Sequence, residues 1–478
     1  MNAILKKIRQ SDAFNKENRI PYIKAIAMMG IFTFIFLGAE YLFVNMISRT
    51  VSADRAVAAQ NYALGVSTLG FLIYPLFNRL CREKLRAFLT VVGAAASVAC
   101  IFGIYYINGY SADLCLGLML FLLFGIFGNA VFYRALCLIE SNKHIARLVG
   151  LSYMLGVLLQ FVNNNLIRTE KAETVLLSAF LALLAVVLIK AENNSVFPAF
   201  SENAETDKAP NKSFKSAAVV GVLALLVVLM TGVFSTLDNA VTLYHANGTA
   251  NIGNWPRILL AVSGIVSGFL FDIKQRKFMS IIMYCVMILS TICIAVLEFS
   301  GPFLTGLVIF YVSAGFFAVF FTASFMEIAR YTKSPDLWAG LGRAINNAVA
   351  VCITGGSLSL LSSENSLVKI VAVLVLFVAV SVAAAIYTFK RKAFFDEINA
   401  ENDAALSNLE KLKKLSEEFS LTPRETEVFG QLVSTEDSIQ VIADNMYVSR
   451  RTLERYISAI YEKTGAKSRV GLVCIYNK

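Results

Sequence analysis

Most of this chain repeats one feature: apolar stretches of roughly 18–25 residues, each long enough to cross a bilayer as a helix. Backbone inside hydrocarbon must satisfy its own N–H and C=O groups, and long unbroken apolar runs do so as helices. The stretches fall at 25–47, 57–77, 87–107, 113–136, 146–167 and 174–189, then at 216–237, 256–272, 278–298, 302–327, 338–361 and 367–389. Hydrophobic residues make up 57% of the chain and charged residues only 16%, against about 25% charged in soluble domains. The expectation is an all-α protein whose residues 25–389 form a twelve-helix transmembrane bundle in the cell membrane.

Charge outside the spans sets the expected orientation. With both termini cytoplasmic, Lys and Arg crowd the inside segments, starting with Lys6, Lys7 and Arg9 in the arm at 1–24. The outside segments hold only Arg49, Arg55, Arg168, Lys171, Arg257 and Lys369. That bias follows the positive-inside rule. It also accounts for much of the net charge of +10 without invoking nucleic acid. The arm lacks a short apolar core followed by a small-residue cleavage site, so it reads as a retained flank. The eight cysteines form no CxxC pair and the two histidines stand alone, so neither disulfides nor a metal site is expected. No phosphate-binding G-x-x-x-x-G-K-[ST] loop and no Ser/His/Asp or Cys/His constellation is present. The expectation is a protein that is not an enzyme and carries no cofactor.

The spans divide six and six around a polar connection, 191–215. The loop after the eighth span contains Gly268, Asp272, Lys274, Arg276 and Lys277. The loop after the second span carries Asn78, Arg79, Arg82 and Lys84 in the same register. Both resemble the G-x-x-x-D-x-x-G-R-[KR] loop of the major facilitator superfamily, though Gln275 replaces the second Gly and the first copy has Tyr74, Asn78 and Cys81 in place of Gly, Asp and Gly. The resemblance implies two six-span halves that rock about a midplane cavity. It makes Asn78, Arg82, Asp272 and Arg276 candidate gating-loop residues, with ordinary topology charge as the alternative. The worn first copy implies that a tuned transport cycle is no longer required.

Ionisable side chains inside spans are few and costly, which makes them site candidates. Those well inside are Glu40, past the middle of the first span, and Arg343, about one turn from the end of the eleventh, where snorkelling is an alternative. Polar side chains accompany them: Gln60 and Asn61, Asn129, Gln160 with Asn163, Asn164 and Asn165, Asp238 with Asn239, and Asn346 with Asn347. Glu40, Asn61, Asn129, Gln160, Asn164, Asp238, Arg343, Asn346 and Asn347 are the candidate ligand set, with Tyr41, Phe132 and Tyr133 as aromatic walls. The competing reading of each amide is a hydrogen bond between helices.

Past residue 389 the composition changes. A polar, helix-prone linker is read at 390–416, with Ile398, Ala405, Leu412 and Phe419 at heptad spacing. A short coiled coil or a docking helix would use that pattern. Thr422, Pro423 and Glu425 then have the order of a capping box with proline at the first helical position. The spacing predicts a helix burying Val428, Phe429 and Leu432, and a second over 439–445. A third is capped by Ser449 and ended by Gly465, and a fourth is capped by Ser468. Four short helices in this order make a helix-turn-helix reader at 417–478.

The tail closely resembles the LuxR-type helix-turn-helix family, through Leu421 to Glu425, Glu427-Val428, Ile442-Ala443, Val448-Ser449, Thr452, Ile460-Tyr461, Lys463, Gly465 and Ser468-Arg469. It departs in the turn Ser434–Asp437, one residue longer than usual, and in Glu454 and Tyr456, where Lys and often His are expected. The resemblance implies that Glu454, Arg455 and Ser458 face bases in the major groove. Ser449, Arg450, Arg451 and Thr452, at the helix start, suit phosphates. Residues 416–478 hold eight Lys/Arg against nine Asp/Glu, yet Lys463 and Lys467 add to positive charge concentrated around the third helix. The fourth helix resembles the family's dimer contact, which implies a homodimer on paired half-sites of promoter DNA. RNA polymerase is a further candidate partner. No phospho-acceptor domain precedes the tail, so the expected input is a small molecule sensed by the membrane bundle. The alternative is a secondary transporter with an added regulatory tail.

Overall fold

The computed structural model describes residues 16–107, 109–139, 142–167, 169–193, 210–248, 255–298, 303–363 and 365–477. The arm residues Lys6, Lys7 and Arg9, and most of the 191–215 connection, lie outside them. The chain divides into two compact units, Met1–Arg391 and Lys392–Lys478.

The first unit is built from α1 (Lys16–Ile47), α2 (Ala53–Leu80), α3 (Glu83–Tyr106), α4 (Tyr110–Leu138), α5 (Ile145–Leu166) and α6 (Glu170–Asn193). It continues with α7 (Pro210–Ala246), α8 (Pro256–Phe271), α9 (Met279–Glu298), α10 (Phe303–Ala329), α11 (Pro335–Ser362) and the first part of α12 (Ser366–Glu418). Ten of these are long and apolar enough to span a membrane, while α8 and the apolar part of α9 are shorter. Burial varies around the bundle. The apolar window of α10 is 67% buried and that of α12 only 22%, so α10 is an inner helix. On α12, Leu367, Val371, Leu374, Val375, Val378, Val382 and Phe389 stay uncovered, as a lipid-facing surface does.

Helix association in lipid relies on close packing and hydrogen bonds, because apolar contact alone offers no advantage over lipid tails. Close approach is visible where α2 crosses α4: a Cβ on Gly70 would lie 2.1 Å from the Leu122 carbonyl oxygen, and one on Gly125 2.0 Å from that of Ser67. Across the two halves, Gly150 of α5 meets Gly264 and Gly268 of α8 in the same manner. Asn347 of α11 donates to Ser67 Oγ of α2 at 2.8 Å, and Thr68 donates to the Ala344 carbonyl at 3.1 Å.

The second unit contains the end of α12 and α13 (Pro423–Ser434), α14 (Ile439–Asn445), α15 (Arg450–Thr464) and α16 (Arg469–Asn477). Thr422 caps α13 in a complete capping box with Glu425, Ser438 caps α14, and Ser449 caps α15. Gly465 ends α15 at φ +70, a left-handed position that glycine takes without a Cβ penalty. The core is Val428, Phe429, Leu432, Ile442, Ala443, Leu453, Ile457, Ile460, Ala466 and Leu472. Leu412 and Leu415, at the end of α12, pack on that core. Of the two roles open to the heptad pattern, Leu412 takes the docking one.

Candidate ligand cavity and nucleic-acid interface

Between the halves lies a cavity of about 160 Å³. From the first half it is lined by Phe36, Glu40, Tyr41, Gln60, Leu64 and Tyr153; from the second by Phe234, Asp238, His245, Arg257, Tyr311, Phe317, Phe321, Arg343, Asn346 and Asn347, among others. Gln60 Nε2 donates to Glu40 Oε1 at 2.6 Å. Arg343 is held between two rings, its guanidinium carbon 5.4 Å from the centroids of both Phe36 and Phe321. Attraction to ring faces uses none of a guanidinium's hydrogen-bond donors. The Nε atoms of Arg257 and Arg343 are buried without a hydrogen-bond partner.

Five of the expected ligand residues, Glu40, Asp238, Arg343, Asn346 and Asn347, reach this cavity. Asn61, Asn129, Gln160 and Asn164 are placed elsewhere. Asn61 donates to Asn239 at 2.8 Å, Asn129 to the Phe71 carbonyl at 2.7 Å, and Gln160 to the Leu37 carbonyl at 2.9 Å, each tying two helices together. Asn164 accepts from Asn163 at 3.2 Å. Tyr41 lines the cavity and stacks on His245. Phe132 instead packs against Phe32 and Phe71, and Tyr133 beside Tyr74. Arg257, Tyr153, Tyr311 and His245 were not among the sequence candidates. Arg257 follows Pro256 at the start of a span, where an arginine has the look of ordinary outside charge.

At the bundle end that carries loop 272–278, charged groups tie the halves. Asp272 accepts from the backbone N–H groups of Ala146 and Arg147, at 3.3 and 2.9 Å, at the start of α5. A carboxylate there complements the positive end of the helix. Arg276 donates to Asp272 Oδ1 at 3.0 Å and to Glu327 Oε1 at 2.8 Å. Both oxygens of Glu327 also accept from a single Arg391 nitrogen, Nη2, at 3.1 and 2.9 Å. Lys274, Gln275 and Arg276 are all left-handed, with φ of 47, 55 and 65. Gln275 therefore takes up the left-handed backbone at the position where the resembled loop has glycine. In the first loop Arg82 is exposed, and Asn78 accepts from Arg86 through its carbonyl at 2.6 Å. The tie between halves there is Arg79 to Asp336, at 2.9 and 2.6 Å.

In the tail, Arg451, Glu454, Arg455, Ser458 and Lys467 are exposed. Arg450 donates to Glu454 at 2.9 Å, one helical turn on, so two of the expected DNA contacts begin as partners. Ser449 is occupied as an N-cap, accepting from the Thr452 N–H at 3.1 Å. Lys463 donates to Glu425 at 2.6 Å and to the Ser420 carbonyl at 3.1 Å, which gives it a structural task at the capping box. Its ammonium, followed by the Thr422 N–H, holds the Glu425 carboxyl below the usual carboxylate range. Arg469 donates to the carbonyls of Leu432 at 2.8 Å, Asp437 at 2.5 Å and Thr435. It thereby braces the turn that is one residue longer than usual. Among the described residues, no three His, Cys, Asp or Glu side chains gather as a metal site.

A bundle with a cavity between two six-helix halves and a capped helix-turn-helix unit define a multi-pass membrane protein with a DNA-binding domain. Residues 419–476 match the family "Bacterial regulatory proteins, luxR family". Among solved structures, the chain is similar to the major facilitator superfamily transporter FucP in the outward conformation: 10% identity, TM-score 0.51, 77% of this chain and 98% of that one. It is also similar to the nucleoside transporter NupG, D323A mutant, at 12% identity and TM-score 0.46, covering 78% of this chain and 100% of that one. Comparison with curated proteins finds no match. The chain thus joins a LuxR-type helix-turn-helix domain to a membrane bundle of the major facilitator fold.

Proposed function

We propose that this protein is a membrane-anchored, one-component transcriptional regulator. A small molecule in the cavity shifts the bundle between two arrangements of its halves, and that shift changes sequence-specific DNA binding by the tail. The observation that carries this reading is the network Asp272–Arg276–Glu327–Arg391. It links the loop that ties α8 to α5 with the last residue before the DNA-binding unit begins at Lys392. A change in the fit of the halves therefore bears directly on Arg391. A ligand need favour one arrangement by only about 1.4 kcal/mol to change occupancy tenfold.

In this reading both termini are cytoplasmic and the tail works as a homodimer on paired half-sites. Val470, 71% exposed, and exposed Cys474 on α16 offer it a surface. RNA polymerase is a partner if the protein activates. The test is DNA selection with the 392–478 unit, followed by occupancy measurements on the full chain in nanodiscs across salt and small-molecule panels. Absence of sequence-dependent binding, or occupancy indifferent to every compound that stabilises the bundle, overturns the proposal.

A second reading is supported by the transporter fold of the bundle: a secondary transporter carrying a regulatory tail. Accumulation of a labelled solute in proteoliposomes, lost in Glu40→Gln, would favour it over the sensor.

A further inference from the structure

The cavity holds two carboxylates, Glu40 and Asp238, and two guanidiniums, Arg257 and Arg343. Opposite charges in one poorly solvated space gain most by closing on each other, since their attraction grows as water is removed. Here they do not close: among the described residues, neither guanidinium has a carboxylate oxygen within 4.0 Å. Arg343 is kept in place by its two phenyl rings. Glu40 has one hydrogen bond, from Gln60. The Nε donors of both arginines remain open.

We infer that the cavity takes a small zwitterion: a free amino acid with an apolar or aromatic side chain. This deepens the sensor reading and rests on it. A guanidinium edge presents parallel donors that match a carboxylate. A carboxylate is an acceptor only, and an ammonium supplies the donors it lacks. A ligand with one charge would satisfy one pair of residues and leave the other pair buried and uncompensated, which is the costly case. A ligand with both charges answers both pairs and leaves the net charge of the site unchanged. The rest of the wall mixes the polar side chains of Gln60, Ser235, Thr242, His245, Asn346 and Asn347 with apolar and aromatic ones, including Phe234 and Phe317 stacked at 4.5 Å. The volume, about 160 Å³, is close to that of an engineered cavity of roughly 150 Å³ that holds one benzene ring. That volume bounds the whole ligand, so its apolar part is at most one ring or a branched alkyl group.

The test uses the full chain in nanodiscs, with binding read by calorimetry and thermal stabilisation. The probes are the apolar and aromatic protein amino acids, each beside its deaminated acid and its decarboxylated amine. L-phenylalanine, 3-phenylpropionate and phenethylamine form one such set. At least one amino acid should bind, with both singly charged counterparts at least tenfold weaker. Asp238→Asn should narrow the gap to the acid, and Arg343→Gln should narrow the gap to the amine, an exchange of preference that misfolding does not produce. Binding by no amino acid, or singly charged counterparts that bind equally well, overturns the inference. Occupancy of the DNA selected by the tail is read on the same samples. Amino-acid binding that leaves occupancy unchanged keeps the ligand class and sinks the sensor reading. Occupancy that answers only to singly charged or neutral compounds keeps the sensor and sinks the ligand class.

Discussion

Replacing Glu327 by glutamine should release the buried charge network that joins Arg276, Glu327 and Arg391. The Glu327 side chain is 2% exposed and lies between Arg276 at 5% and Arg391 at 8%. Glutamine keeps the shape and some hydrogen bonding, but it leaves Arg276 with Asp272 alone of its two carboxylate partners and takes from Arg391 the carboxylate it binds. Removing one partner from a buried ion pair costs about 3–5 kcal/mol, and that is the expected loss of bundle stability. Denaturation in mixed micelles would measure it, alongside Arg391→Gln and the double variant. Because the two side chains share bonds, the double variant should lose less than the sum of the singles, by a coupling of roughly 1–3 kcal/mol. Glu327→Gln should also alter DNA occupancy when the cavity is empty, since Arg391 then loses the carboxylate and keeps its bond to the Arg276 carbonyl at 3.2 Å. A loss below about 1 kcal/mol, the range of exposed pairs, or strictly additive singles would show that the network is hydrated and carries no coupling.

Three further outcomes follow from local geometry. Gln275→Gly should stabilise the loop by roughly 1 kcal/mol, because a left-handed residue with a Cβ costs that much; unchanged or lower stability in the same denaturation assay would remove the strain argument. Glu425 has its carboxyl held below the usual range by Lys463, so its contribution to the tail is full at neutral pH. That contribution is lost as pH falls through the lowered value, and a stability–pH titration of the tail should flatten on its acidic limb in Glu425→Gln. Arg455→Ala should lower affinity for the selected DNA by about 1–3 kcal/mol and relax preference at one base pair, whereas Lys467→Ala should weaken all sequences alike and reduce the salt slope by about one; the two are separated by titration on matched and mismatched DNA.

The tail was legible residue by residue because its signals are local. Thr422 and Glu425 close their capping box, Ser449 caps α15, and Gly465 takes the left-handed position that ends it. Each depends on neighbours three or four positions away. The pairing of Lys463 with Glu425 has no such local signal, because the two lie 38 positions apart. The bundle shows the same division. Span number and the six-and-six plan follow from hydrophobic length, and Glu40 and Arg343 stand out by the cost of placing charge among apolar residues. Arg79 and Asp336, 257 positions apart, carry no signal of their pairing. Arg257 was hidden by its place at a span end, where arginine is ordinary. Tyr153 and Tyr311 look in sequence like any other aromatic in a span. Asn346 and Asn347 line the cavity whereas Asn61, Asn129 and Asn164 do not, a difference the sequence hides because an amide between helices and an amide facing a cavity are written with the same letter.

The ion pair between Arg450 and Glu454 on α15 has a consequence for how the protein meets DNA. A basic reading helix adheres to any duplex through its phosphates and loses that adhesion as salt rises. Here part of the positive charge is answered within the helix before DNA arrives. In the proposed regulator, the reading domain is tied to a bilayer and cannot search DNA by diffusing through the cell; the DNA must drift past it. Weak general adhesion suits that arrangement, because wrong sequences leave quickly and the membrane-bound reader stays free for the next segment to pass.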